Sequence, residues 1–379
     1  MKKKALLIVA ACACFITGCG AEKSTENKMK ITESLHSASG ESVSCLASVF
    51  TTQDGLLHIF DPNQKSSIVL CNKSNCEHEP YDENTNPDPT CDAALNKDLF
   101  FNCVPVISGE YVYLFGQADL SKGVVYREKL DGSGRTKLYN LDYQVNVYNS
   151  VYVENGIAYA EAEIPIVKED NIGGAGSNSN YSVLLAINLE SGETKEISDI
   201  NKEKFHGLLL LEKSGEKLYY ESTYRKLGKK DKDYSTAKEY SKVYEYNIKT
   251  GKQSQVCSEK DLEGCIVIGM IDRAVYVYNQ ETMEVFEVAI GSKKKKKIYK
   301  PDKTDVLYYT YKNHLIRGDM EKEKFYYLND SAWEELEGIA SFTNTFGDFA
   351  EYYDKKNVLH VVYGDSLFKD QKKELFERK

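Results

Sequence analysis

One pattern limits the folds open to this chain more than anything else: a short strand, a turn built on Gly, Asp or Asn, and a second strand, repeated along its length. The clearest unit runs through residues 124–130, turns at Asp131-Gly132-Ser133-Gly134 and returns through 136–141. The same design recurs at 183–189 with Glu190-Ser191-Gly192-Glu193, and at 243–248 with Lys249-Thr250-Gly251-Lys252. It recurs again at 285–290 with Gly291-Ser292, and at 56–60 with Asp61-Pro62-Asn63-Gln64. Alternating β-branched and aromatic residues broken by such turns read as hairpins. Their recurrence at roughly 35 to 70 residues marks a radial or solenoid repeat.

A second strand pair precedes most of these hairpins: 102–107 with 111–115, 147–153 with 157–162, 208–211 with 218–222, and 266–270 with 274–278. Four antiparallel strands per unit make a blade, and blades set in a ring leave only short protected edges. The expected fold is therefore an all-β β-propeller of six or seven four-stranded blades, with seven preferred. Its first blade would be completed by a strand near 358–363, so that shared N- and C-terminal strands close the ring. Helical periodicity is confined to the last dozen residues.

The N-terminus carries a different signal. Lys2-Lys3-Lys4, an apolar run over 5–15 and then Ile16-Thr17-Gly18-Cys19 form the parts of a secretory leader. The apolar run falls short of the roughly 20 residues a membrane-spanning helix needs. Residues 16–19 resemble the lipobox of bacterial lipoproteins. That resemblance implies cleavage before Cys19, acylation of Cys19 and attachment to the outer face of the cytoplasmic membrane, with the acyl groups supplying the at least two hydrocarbon chains that stable anchoring requires. The expected organisation is a signal peptide over 1–18, a flexible polar stalk over 19–40 and one propeller domain over 41–379.

Beyond the leader, the turn Leu130-Asp131-Gly132-Ser133-Gly134 and the strand cores Tyr111-Val112-Tyr113 and Leu218-Tyr219-Tyr220 resemble the low-density-lipoprotein-receptor-type propellers found in secreted lipoproteins of Gram-positive bacteria. No intact Tyr-Trp-Thr-Asp signature is present. The resemblance implies a fold and a Gram-positive surface location, and it brings no chemistry with it.

Removing the three lysines of the leader takes the net charge from −9 to −12. Such an acidic chain lacks the basic footprint of a nucleic-acid partner. The single basic run, Lys293 to Lys297, reads as a solvated turn and edge strand, where lysines discourage sheet-to-sheet association.

Ten cysteines are present; Cys12 and Cys14 leave with the leader, Cys19 is acylated, and seven remain. Cys71, Cys76, His78 and Cys91 fall within one segment, 71–95. Three thiols and an imidazole are a ligand set for a closed, structural zinc site. The alternative is a disulfide among the same cysteines, which exported proteins favour. If the cluster holds metal, Cys257 with Cys265 and Cys45 with Cys103 form two plausible disulfides.

Segment 71–95 joins an outer strand to the next inner one, while 168–180 and 226–241 join the second and third strands of their blades. In a propeller those connections emerge on one rim. His58, His206, His314 and His360 sit in strand patterns and read as structural, and Trp333 and the tyrosines as blade packing. Nucleophile-elbow, zinc-protease, phosphate-loop and EF-hand motifs are missing, so no catalytic residue is assigned. The sequence points to a monomeric, non-enzymatic scaffold for a protein or glycan ligand. A cell-surface glycan hydrolase or lyase, and an envelope-assembly factor, are the competing readings.

Overall fold

The structure is a computed structural model. It describes residues 34–36, 49–51, 55–61, 66–100, 103–119, 122–145, 150–165, 180–198, 206–226, 238–292, 294–300, 305–319, 321–346, 349–369 and 374–378. Cys19, Cys45 and the leader lie outside the described residues.

Within the unit spanning 31–379, the described residues form a succession of small antiparallel sheets. The first has three strands, β2 (Val49–Thr51), β3 (Leu57–Asp61) and β4 (Ser66–Val69). Six complete blades follow. The second sheet holds β5 (Val104–Ser108), β6 (Tyr111–Gln117), β7 (Gly123–Lys129) and β8 (Thr136–Leu141). The third is built on β10 (Ser150–Glu154), β11 (Ile157–Pro165), β12 (Asn180–Asn188) and β13 (Thr194–Glu196). Two additions extend it: β1 (Ser34–His36), from the segment expected to be stalk, pairs with β10, and β9 (Gln144–Val145) pairs with β11.

The fourth sheet contains β14 (His206–Ser214), β15 (Lys217–Lys226), β16 (Lys238–Asn247) and β17 (Lys252–Cys257). The fifth contains β18 (Cys265–Ile271), β19 (Ala274–Asn279), β20 (Glu284–Ala289) and β21 (Lys295–Tyr299). The sixth is β22 (Asp305–Tyr311), β23 (His314–Asp319), β24 (Lys324–Asn329) and β25 (Ala332–Glu335). The seventh is β26 (Ser341–Phe346), β27 (Phe349–Tyr353), β28 (Leu359–Tyr363) and β29 (Glu374–Arg378).

Side-chain alternation explains why these sheets stack face to face. On β11, Ala158, Ala160 and Ala162 turn toward the second sheet and join Val104, Val106 and Phe115, while Tyr159 turns toward Leu208, Leu210 and Leu218 of the fourth. On β15 the neighbours Leu218 and Tyr220 face the third sheet and Tyr219 faces the fifth. Both faces of each inner blade are thus apolar, as a sheet buried on two sides requires. A fully buried Val or Leu contributes about 1.5–3 kcal/mol, and each blade-to-blade seam carries several. The recurrence extends to irregularities: bulges interrupt the first strand pair of the fourth, fifth, sixth and seventh sheets.

Two expectations change. The strand near 358–363 does not complete the first sheet, because β28 is hydrogen-bonded on both edges, to β27 and to β29, inside the seventh. Among the described residues of the last dozen there is no helix: β29 occupies 374–378, and α1 (Gly364–Leu367), a single turn of four residues, ends just before them. The basic run behaves as expected, with Lys294 to Lys297 exposed on and beside the outer strand β21.

Candidate metal centre

Residues 71–95 leave the outer strand β4 and reach the region of the inner strand β5 without regular structure, yet they are tied down along their length. Asp82 accepts hydrogen bonds from the backbone N–H groups of Asn84 and Thr85, and Asn86 donates its side-chain amide to the Pro80 carbonyl. At the far end, Leu57 N–H donates to the Ala93 carbonyl at 2.8 Å and Leu95 N–H to the Gly55 carbonyl at 3.0 Å. Cys91, Ala93, Ala94 and Leu95 are buried with Leu57, Leu99, Ile107 and Leu114 of the flanking sheets.

This folding brings Cys71, Cys76, His78 and Cys91 together. One ligand atom from each lies within 4.8 Å of all the others. Asn75 and His78 adopt positive φ angles of 61° and 56°, bending the chain around the cluster. The Lys73 ammonium joins the two arms, reaching Asp92 at 2.8 Å and the Thr90 carbonyl at 2.5 Å.

The spacing of Cys91 and His78 suits a tetrahedral ion. With Zn–S near 2.3 Å and Zn–N near 2.0 Å, tetrahedral geometry sets sulfur and nitrogen about 3.5 Å apart. The Cys91 Sγ to His78 Nδ1 separation is 3.5 Å. Burial lifts the Cys71 thiol, but hydrogen bonds from the backbone of Lys73 and Asp92, with further ones from Cys76 and Cys91, outweigh it and hold its pKa below the ordinary thiol value. Burial pushes Cys91 up to about 12, and its thiol neighbours add to the rise. A cation at the centre would supply what Cys91 lacks, a positive partner for its thiolate. Four protein ligands complete a zinc coordination sphere, leaving no place for a substrate water.

The second sheet supports the cluster from below. Gly132, at φ +77°, brings the β7–β8 turn so close that an added Cβ would stand 2.3 Å from the Leu70 carbonyl oxygen and 3.0 Å from Cys71 N. Arg135 holds Glu128 at 2.6 Å and donates to the Ala94 carbonyl. Burial raises the Glu128 carboxyl to about 7 against the opposing pull of Arg135. Neither the glycine's contact nor the Glu128–Arg135 pair was singled out in the sequence. Arg135, just past the Gly-x-Gly turn, was the one available hint.

The remaining cysteines are dispersed. Cys103 is half-buried by its residue exposure, yet its thiol is desolvated and pushed up to about 12. Cys257 is buried at the end of β17; Cys265 opens β18, where its sulfur accepts a hydrogen bond from Lys295 at 3.0 Å. Both are free thiols here. His314 lies near the Leu328 carbonyl and His360 stacks on Tyr352, each within its own sheet. His58 is on β3, and the side chain of His206 lies outside the described residues.

No family model and no curated protein matches this chain. Among solved structures it is similar to a chain of the nidogen/laminin complex, at 9% identity and a TM-score of 0.36, covering 75% of this chain and 90% of that one. It is also similar to an oligogalacturonate lyase from Vibrio parahaemolyticus, at 13% identity and 0.41, covering 71% and 75%. A prolyl endopeptidase is similar at 12% identity and 0.49, with 92% of this chain spanning 50% of that one.

Proposed function

We propose that this chain is a non-enzymatic binding scaffold displayed outside the cell: acylated at Cys19, held to the outer face of the cytoplasmic membrane, and carrying a propeller whose 71–95 loop is clasped by zinc. The observation that carries the reading is the convergence of Cys71, Cys76, His78 and Cys91 to within 4.8 Å. A closed Cys3His site contributes folding free energy rather than a reactive water, so it stiffens a rim loop for recognition. The three-stranded first sheet is read as the seventh blade of the ring.

Metal analysis combined with thiol alkylation tests the zinc clasp. The full chain should hold about one equivalent of zinc, with Cys71, Cys76 and Cys91 alkylated only after chelation. A disulfide linking two of these three thiols in the isolated protein would refute it. Fractionation of cells carrying Cys19→Ala tests the anchor: the variant should leave the membrane fraction, and unchanged retention would refute lipid attachment.

A further inference from the structure

Strand β16 is covered on one edge and only partly on the other. It pairs with β15 along its whole length, Lys238 to Asn247, whereas its ladder with β17 stops at Val243. Residues 238–242 therefore keep an open edge. A cleft of about 310 Å³ runs along it: Lys238, Glu239, Tyr240 and Ser241 form one wall, and the 258–264 connection and the start of β18 face them. That is the small end of the range for ligand sites, enough for a few residues of a chain whose ends pass out into solvent.

The register tells which main-chain groups face the cleft. In an antiparallel ladder alternate residues turn both N–H and C=O to the same edge. Ile248 N–H donates to the Glu216 carbonyl, on the β15 side, at 2.8 Å, and the Asn247 carbonyl accepts from Gly251 N–H, on the β17 side, at 2.8 Å. The β15 register runs from Asn247 to Lys238 without a shift, so Glu239 and Ser241 turn their main-chain groups to the open edge. Among the described residues no backbone group pairs with them there. Two residues apart in a strand, these groups repeat at about 6.8 Å. An extended peptide has that same repeat in its own N–H and C=O groups, and adding a strand to a sheet edge is how many peptides bind.

Charge selects among peptides. Lys238 pairs with Glu263 at 2.7 Å, Arg225 with Glu239 at 3.1 Å, and Lys242 and Lys226 with Glu259 at 3.1 and 3.5 Å. A basic peptide would have to displace one of these pairs. Lys260 is different: it lines the cleft, is exposed, and forms no ion pair among the described residues. It is the one charged group of the lining still open to a partner, and that partner is a carboxylate. Leu262 and Ile266, the latter 49% exposed, give the same wall an apolar part for a neighbouring side chain.

We propose that an extended acidic peptide segment adds as a strand beside residues 238–241 and sets a carboxylate on Lys260. The proposal rests on the scaffold reading above and names its partner class. The full chain, produced with its leader and extracted in a detergent that contains no sugar, would be tested against arrayed hexapeptides in which valine alternates with Glu, Gln or Lys, and against neutral oligosaccharides, with hits titrated by calorimetry. The Glu series should bind, the Gln series about twofold to fivefold more weakly, as for one exposed ion pair, and the Lys series weakest of all. An about tenfold rise in salt should bring the Glu series down to the Gln series, and Lys260→Ala should do the same. N-methylating alternate peptide nitrogens should weaken binding about fivefold or more in one register, the order of one net hydrogen bond, and leave it unchanged in the other. Glu239→Pro removes an N–H from the open edge and none from the β15 ladder, and should weaken binding by as much.

Binding of no peptide, equal binding of the three series, or binding indifferent to N-methylation in both registers overturns the proposal. Peptide binding that Lys260→Ala and Glu239→Pro both leave intact, or binding of oligosaccharides in place of peptides, overturns it too. The scaffold reading stands or falls separately, on the zinc and membrane tests above.

Discussion

Gly132 and Gly134 share one turn and nearly the same backbone conformation, φ +77° and +72°, but differ in surroundings. A Cβ on Gly134 meets nothing within 4 Å; on Gly132 it meets backbone, the Leu70 oxygen at 2.3 Å and its carbon at 2.6 Å. Gly134→Ala therefore bears only the cost of a left-handed alanine, about 1 kcal/mol. Gly132→Ala bears the same cost plus that of overpacking, about 1–3 kcal/mol, giving about 2–4 kcal/mol in all. The strain cannot be relieved by a rotamer change, because the atoms met belong to the main chain where it enters the metal loop. Residues 70 and 71 must move, and Cys71 moves with them. Urea midpoints measured with zinc present should fall two to four times further for Gly132→Ala, and that variant alone should give up zinc more readily to a competing chelator. Equal midpoint shifts with equal zinc retention would show that the turn does not support the site.

Three further outcomes follow from the charged groups. Burial raises the Glu221 carboxyl to about 7 even though Ser241 donates to it at 2.6 Å. The folded state thus keeps a proton that the unfolded chain loses near pH 4.3, and the stability this gives at low pH is lost as pH rises to about 7. Glu221→Gln should remove that slope and exceed the parent by up to about 3 kcal/mol at pH 8, read from urea midpoints against pH; an unchanged slope would count against the burial argument. Arg135→Ala strands Glu128 in a buried site, so it should destabilise by about 3–5 kcal/mol at pH 8 and by less at pH 5, where the carboxyl takes up a proton; a pH-independent loss would refute the pairing. Arg127 binds Glu190 at 2.8 Å, but that carboxylate side chain is 63% exposed, so Arg127→Ala should cost less than about 1 kcal/mol in the same assay.

The blades were legible because their cause is local. Alternation of apolar residues within 5 to 10 positions, and turns such as Asp131-Gly132, depend on neighbours in sequence, and β7, β12, β16 and β20 fall where those patterns place them. The sixth sheet and most of the seventh were harder to mark. The turns at Lys312-Asn313 and Asp330 in the sixth and at Asn357 in the seventh reach positive φ without glycine, so the punctuation was weaker. Residues 226–241 read as a loop because Lys, Asp and Glu crowd them, yet β15 and β16 stay paired out to Lys226 and Lys238. There the aromatic ladder of Tyr224 on Tyr240 outweighs the polar composition. Cys71, Cys76, His78 and Cys91 were readable because ligand chemistry is written in residue type. The Arg135 contacts with Glu128 and the Ala94 carbonyl were not, since they join a blade to a loop 41 residues away at distances that no spacing encodes.

The loop that carries the candidate metal site is longer than its place in the fold requires. A connection from an outer strand to the next inner strand must cross four strands, three gaps of about 4.8 Å, or roughly 14 Å. Five extended residues suffice at about 3.3 Å each. The link between β25 and β26, residues 336–340, is that short, and the link between β17 and β18, residues 258–264, is little longer. The link between β4 and β5 runs from 70 to 103, far beyond what the topology needs. A segment of that length without strands of its own requires an internal core or stays disordered, and here the thiol and imidazole cluster occupies that position. Metal should therefore hold the loop rather than the ring. Chelation should open residues 72–90 to limited proteolysis while the main unfolding transition of the sheets is retained. Loss of the whole transition on chelation would place the metal in the ring's own stability and refute this division.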